Sequence, residues 1–286
     1  MPKTILVVGA TGMQGGAVVR SLLKKGATVR GVTRRPESAR GVALEDAGVA
    51  LVSASMSDED ALAEGMTGVD GVFALTTPFE GGPDDEVVQG RALINAASRA
   101  GVSHFVFSSV GSADQATGIP HFDSKHEVEK MLQSSGLTHT ILRPVYFMEN
   151  ILSKATIQRL GEGRFALPMS PDRILQQVCA PDYGEVTAEV LLNADRFAGR
   201  AIDVASDELT GEQEASALGS VLGHEVAYEQ LPVDALGAPG SDMRSMFEWF
   251  ESTGYHANIE ALREELPGVG WYSFADWANA TRERLR

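Results

Sequence analysis

The sequence predicts an α/β fold: a doubly wound, mostly parallel sheet with a smaller C-terminal α+β lobe. Three observations carry this. Short β-branched runs alternate with helical patterns through the first two thirds of the 286 residues, and such strand–helix units join by right-handed crossovers into a parallel sheet. Runs such as Ile5–Val8 are apolar throughout, as strands covered on both faces must be. A glycine-rich segment, Gly9-Ala10-Thr11-Gly12-Met13-Gln14-Gly15-Gly16, stands between the first run and the first helix.

Taken in order, Ile5–Val8 is the first strand. A helix follows with Val18, Val19, Leu22 and Leu23 on one face and Gly26 as its stop. Val29–Thr33 is the second strand. Gly48 closes a short helix, and Val49–Val52 is the third strand. Ser57 reads as the next N-cap, with Asp58, Glu59 and Asp60 in the first turn, where the helix dipole favours anions. Val69–Thr77 is the fourth strand, Val87–Ala100 a helix with Gly101 as its C-cap, and Val102–Val110 the fifth strand. Phe122–Ser135 is helical and Thr138–Leu142 the sixth strand. Beyond Pro144 the rhythm is less regular, although Asp182–Leu192 reads as a helix, Ala201–Ala205 as a strand and Leu236–Ser241 as a loop. The expected division is a nucleotide-binding core over residues 1–150, re-entered by about 175–206. A smaller substrate or partner lobe takes 151–174 and 207–286.

Composition narrows the partners. The 24 Lys+Arg against 39 Asp+Glu give a net charge of −15 at pH 7. Such a surface repels phosphodiester backbones and anionic lipid heads, so neither nucleic acid nor a membrane is expected as a direct partner. Cys179 is the single cysteine and lies in an apolar run, which reads as a buried, inert thiol. The six histidines show no metal-ligand spacing, and no metal is expected. No apolar run has the length of a signal peptide or a membrane span, so a cytoplasmic protein is expected. The acidic runs Asp84-Asp85-Glu86 and Glu264-Glu265 read as solvated faces or helix-start charges.

The glycine segment follows a strand and opens a helix, the two contexts that give such a loop meaning. Gly9 and Gly12 let the backbone turn tightly and approach a pyrophosphate. Gly15 lets the helix pack close to the sheet. Ala10, Thr11, Met13 and Gln14 complete the cradle, with phosphates held on N–H groups at the helix start. The second strand ends in Thr33-Arg34-Arg35, and no acid stands between Thr28 and Pro36. An acid there would bind the ribose 2′-hydroxyl of NAD, whereas a guanidinium suits a 2′-phosphate. NADP(H) is therefore expected over NAD(H), with Arg34 as the main contact. In the C-terminal lobe, Met243, Met246, Phe247, Trp249 and Phe250 recur at helical spacing, as core packing or as the wall of a flat apolar pocket.

These residues resemble the NmrA-like family of the atypical short-chain dehydrogenase/reductase superfamily, along nearly the whole chain. Gly9-Ala10-Thr11-Gly12-x-x-Gly15-Gly16 is similar to its dinucleotide signature. Thr33-Arg34 is similar to its NADP-type strand end. Leu75-Thr76-Thr77-Pro78 resembles its segment beside the nicotinamide. His121-Phe122-Asp123-Ser124-Lys125-x-Glu127-Val128-Glu129 resembles its lysine helix. Arg143-Pro144-x-Tyr146-Phe147-Met148-Glu149-Asn150 resembles its segment that closes on the cofactor, and Pro181-Asp182-Tyr183-Gly184 its later helix start. The resemblance implies a Rossmann-type fold and cofactor roles for Thr76, Thr77, Pro78, Lys125, Tyr146, Phe147, Glu149 and Asn150. Where many relatives have Gly-Asp after the third strand, this chain has Ala54-Ser55, so Ser55 and Met56 would line the adenine with a hydroxyl in place of a carboxylate.

Reductases of the wider superfamily use Ser, Tyr and Lys, the last two in Y-x-x-x-K. Here Ser109 ends the fifth strand and Lys125 is present, but the tyrosine position is His121. Three readings stay open. His121 replaces tyrosine as general acid; or Lys125 alone holds the ribose and the product takes its proton from water; or no turnover occurs and the protein reports the NADPH/NADP⁺ ratio to a protein partner. The leading expectation is an NADPH-dependent oxidoreductase, monomer or homodimer, acting on a small flat acceptor such as a quinone or enone. The alternatives are a non-catalytic redox sensor and a corepressor of a transcription factor.

Overall fold

The computed structural model describes residues 2–286. Its strands are β1 (Thr4–Val8), β2 (Thr28–Thr33), β3 (Ala50–Ser53), β4 (Gly71–Leu75), β5 (Phe105–Ser108), β6 (His139–Pro144), β7 (Tyr146–Phe147), β8 (Arg164–Leu167), β9 (Ile174–Val178), β10 (Ala201–Val204), β11 (Asp207–Thr210) and β12 (Ala227–Gln230). Its helices are α1 (Met13–Lys24), α2 (Ala39–Asp46), α3 (Glu59–Met66), α4 (Pro83–Ala100), α5 (Pro120–Ser134), α6 (Lys154–Gly161), α7 (Ala180–Leu192), α8 (Ala194–Phe197), α9 (Gly211–Leu222), α10 (Asp242–Ser252), α11 (Ile259–Glu265) and α12 (Phe274–Ala280). The chain forms two units. The first takes the residues up to Ala116, His121–Arg143 and Tyr183–Ile202; the second takes Thr117–Pro120, Pro144–Asp182 and Asp203–Arg286.

The large sheet has seven strands in the order β10-β6-β5-β4-β1-β2-β3. The pairs from β3 to β6 are all parallel. The order reverses direction between β1 and β4, which makes their carboxyl ends the topological switch point, where ligands of open α/β sheets bind. Strand residues alternate between faces. Leu6, Val8, Val72, Ala74, Phe105 and Phe107 share one buried cluster with Leu62 of α3, Leu93 of α4 and Leu132 of α5. Ile5, Val7, Phe73 and Val106 are equally buried on the opposite face. There Phe73 meets Tyr183 of α7 edge-on, with ring centroids 6.3 Å apart. Both faces are covered, which is why these strands are apolar throughout.

Two helix starts differ from expectation. Asp58, not Ser57, is the N-cap of α3, because its carboxylate reaches the Ala61 N–H at 3.1 Å and its charge also favours the dipole. Helix α4 begins at Pro83, a full turn before Val87, since the fixed φ of proline suits the first helical position. Its end is as expected: Gly101 adopts a left-handed φ of 66°.

The second unit holds a three-stranded sheet, β11-β9-β7, and the pair β12-β8. Its aromatic cluster packs Phe250 against Tyr146 at 6.0 Å and Tyr255 at 5.2 Å. Met246, Phe247 and Phe250 are buried, whereas Met243 is exposed, so the helical stripe of α10 is largely core. Phe247 also lines a cavity of about 520 Å³ with Pro168, Leu231, Pro232 and Val233. Among the described residues, no helix is long and apolar enough to cross a membrane.

Candidate active site

The cradle is built where β1 meets α1. Gly9 has a φ of 66°, a conformation that favours glycine. The Gly12 N–H closes the turn onto the Gly9 carbonyl at 2.8 Å. A Cβ on Gly15 would lie 2.2 Å from that same carbonyl, so only glycine lets α1 approach so closely. Among the described residues, no side chain caps α1 and no acid stands in its first turn. Its leading N–H groups and positive dipole end suit an anion.

The cradle is pinned from below through Ser108, which lies outside every motif and links Gln14 of the glycine segment to Tyr183 of the later helix start. The Ser108 hydroxyl, at the end of β5, donates to Gln14 Oε1 at 2.8 Å and accepts from the Tyr183 hydroxyl at 2.6 Å. Tyr183 is fully buried, and burial pushes its phenol above the ordinary range. Its role here is to donate, holding Gln14 at the mouth of the loop.

On the β2 side, Thr33 is buried and its hydroxyl lies 3.5 Å from that of Thr11. Arg34 and Arg35 follow on the surface, and Ser55 and Met56 are half-buried after β3. Arg34 has an unforeseen partner. Its guanidinium makes a bidentate pair with Glu80, at 2.6 and 2.8 Å, with both side chains more than half exposed. The hydrogen bonds and charge of Arg34 hold the Glu80 carboxyl below its ordinary range. No local pattern announces an acid that arrives from the loop after β4.

The lysine side differs most from the sequence reading. Lys125 Nζ lies 2.7 Å from Glu86 Oε1, with longer contacts of 3.3 and 3.4 Å to Thr76 O and Oγ1. All three acids of Asp84-Asp85-Glu86 stand in the first turn of α4, as the helix-start reading expects, but Glu86 is 0% exposed, so it is not part of a solvated face. Beginning at Pro83, α4 turns Glu86 inward, where Thr76 Oγ1 donates to it at 2.8 Å and Ser124 Oγ at 2.5 Å. A buried carboxylate is stable only when paired and hydrogen-bonded in this way. Thr77 is clamped by the Gln89 amide, and Pro78 is buried beside it.

His121 stands one turn before Lys125 on α5. It is nearly buried, with its ring against Phe122 at 4.7 Å and Phe79 at 6.0 Å. Ser109 lies just past β5. Its N–H donates to the Leu142 carbonyl at 2.8 Å, and its hydroxyl is buried without a hydrogen-bond partner among the described residues. On the same helix as Lys125, Glu129 holds Arg143 in a buried bidentate pair at 2.9 and 2.6 Å.

The remaining candidates belong to the second unit. Tyr146 is half-buried in the aromatic cluster and Phe147 is buried. Burial and the nearby Glu214 push the Tyr146 phenol upward, against a hydrogen bond with Asn150. Glu149 accepts from the Ala180 N–H with both oxygens at 3.0 Å and from Trp277 Nε1 at 3.0 Å. Its carboxylate therefore caps α7. Cys179 is fully buried, and desolvation pushes its thiol far up, which leaves it unreactive.

Comparison with known proteins bears on this arrangement. The family model described as the NmrA-like family matches residues 1–276. The chain belongs to the NmrA-like family. It is 30% identical over 228 residues to quinone oxidoreductase 2 of Escherichia coli, covering 79% of this chain and 77% of that one. It is 32% identical to the (4-alkanoyl-5-oxo-2,5-dihydrofuran-3-yl)methyl phosphate reductase of Streptomyces griseus, over 96% of each chain. The solved structure of the E. coli NADPH-dependent quinone oxidoreductase in complex with NADPH superposes with a TM-score of 0.82 at 27% identity, covering 97% of this chain and 99% of the other. NmrA itself, a negative transcriptional regulator solved with NADP, shares the fold at 21% identity, with a TM-score of 0.80 over 97% and 94% of the two chains. The NmrA-like family thus holds both reductases and a regulator, and the Rossmann-type fold is common to them.

Proposed function

We propose that this chain binds NADP(H) and reduces a small flat acceptor such as a quinone or enone. The observation that carries this reading is the juxtaposition at the switch point. A glycine cradle with an uncapped helix start lies at the end of β1, and Thr76, at the end of neighbouring β4, carries an anchored lysine. The residues fit the cofactor. The N-terminal N–H groups of α1 would hold the pyrophosphate, Arg34 the 2′-phosphate, and Ser55 and Met56 the adenine. Lys125 would hold the nicotinamide ribose. The short contact to Glu86 uses one of its three N–H donors. The contacts to Thr76 are long, so the ammonium can still donate to a ribose hydroxyl.

Bound NADPH supplies a hydride. The chain's own contribution is position: Lys125 is fixed by a buried partner, so its donor stays in place. His121 stands where reductases of the superfamily have tyrosine, and its ring is packed against Phe122 and Phe79. That favours acceptors whose reduced oxygen collects its proton from water. The activities named for these relatives, on a quinone and on an alkanoyl-oxo-dihydrofuran phosphate, support this class. A cytoplasmic location suits the supply of NADPH.

The test is NADPH oxidation by the purified protein against a panel of quinones, enones, aldehydes and ketones. Turnover is expected with quinones or enones. Tight NADPH binding without turnover on any acceptor would instead support a redox sensor acting on a protein partner. One observation favours that second reading: the ion pair of Lys125 with Glu86 and the absence of tyrosine at position 121 leave less chemistry than the superfamily uses.

A further inference from the structure

Arg34 and Glu80 belong to segments that flank the cradle. Strands β2 and β4 are the two neighbours of β1. Adjacent strands lie about 4.8 Å apart, so the ends of β2 and β4 are separated by roughly 10 Å. Arg34 directly follows β2. Glu80 lies in the Thr76–Gly82 loop after β4, next to Gly81 and Gly82 at the start of α4. Their bidentate pair therefore spans the carboxyl end of β1, where Gly9 begins the cradle. Phe79, on the same loop tip, is 75% exposed and faces the His121 ring.

We propose that Glu80 is a specificity-determining residue: with Arg34 it forms a clasp at the edge of the dinucleotide site that a 2′-phosphate must displace and a 2′-hydroxyl leaves in place, so that it tempers the preference for NADP(H). This rests on the reading of Arg34 as the 2′-phosphate contact. A guanidinium offers its planar fork to one oxyanion at a time in bidentate fashion. A carboxylate carries one negative charge, whereas a phosphate monoester carries up to two and three acceptor oxygens. The phosphate therefore wins Arg34, but against a competitor that lowers its net gain. A dinucleotide without the 2′-phosphate has nothing to exchange for Glu80. Because both partners are exposed, the competition is weak and the clasp is easily opened.

The experiment measures NADPH and NADH affinity, by fluorescence titration of the full chain, in the wild type, Glu80→Gln, Arg34→Ala and the double variant. Glu80→Gln is expected to tighten NADPH by about two- to five-fold and to leave NADH unchanged. In the Arg34→Ala background the same substitution should have no effect on NADPH. Equal tightening of both dinucleotides would show a general loss of negative charge near the phosphates and overturn the clasp. Weaker NADH binding would make Glu80 a ribose ligand and also overturn it. No change in either would reduce the pair to a surface bridge. Undiminished NADPH affinity in Arg34→Ala alone would overturn the underlying 2′-phosphate assignment, and the clasp with it.

Discussion

Buried charge decides the behaviour of two residues in different ways. Glu86 is sealed in but answered by Lys125, Thr76 and Ser124. Removing only the lysine leaves an uncompensated carboxylate, which costs about 3–5 kcal/mol. Lys125→Met should therefore lower the unfolding free energy by that order in denaturant titration, and Lys125→Met with Glu86→Gln should recover most of it. Glu214 is sealed in with less help. Gln177 donates to Oε1 at 2.8 Å, but Oε2, like Gln177 Oε1, has no partner among the described residues. Desolvation, and less strongly the charge of Asp207, raise its carboxyl to about 8. Tyr146 and Tyr228 are the other titratable groups that feel it, and both phenols are neutral in this range. The folded state thus keeps a proton that the unfolded chain releases near pH 4.5. Its stability contribution is full below that pH and is lost by about 1.4 kcal/mol per pH unit up to pH 8. Glu214→Gln should flatten that fall and stabilise the protein at pH 8, since the amide keeps one oxygen to accept from Gln177 and puts an NH2 donor, facing Gln177 Oε1, in place of the orphaned Oε2. An unchanged pH–stability curve would refute the assignment.

At the scale of elements, the signals that were legible are those written locally. The apolar run Ile5–Val8, the left-handed glycine at Gly101 and the glycine spacing of Gly9, Gly12 and Gly15 each need only their neighbours to be read. Buried partners are not local. Glu86 stands next to two surface acids and reads like them, until Pro83 sets the helix phase that turns it toward Lys125, 39 residues away. Ser108 and Tyr183 are separated by 75 residues, so nothing local marks the pair, whereas Ser109 holds the strand-end position that the family resemblance marks. Strands β7, β8, β11 and β12 pair with segments distant in the chain, so no local run announces the pairing. Capping is local again, and it is testable: Asp58→Ala should cost about 1 kcal/mol in thermal unfolding, while Ser57→Ala should cost almost nothing.

For the whole molecule, the seven-stranded order sets the chemistry by deciding which segments share the switch point. It brings the β1 cradle, the β2 arginine and the β4 threonine into one row of strand ends, and α5 delivers Lys125 to Thr76. On the proposed function, this row is a working NADPH site that reduces an acceptor through the position of Lys125. The direct measurement is steady-state NADPH oxidation with the best quinone or enone, comparing wild type with the Lys125→Met/Glu86→Gln variant, whose folding is confirmed by its unfolding midpoint. The expected result is turnover in the wild type and a drop of roughly 10²-fold in kcat/KM in the folded double variant. Equal turnover in the two proteins, or none in the wild type with NADPH firmly bound, would contradict it.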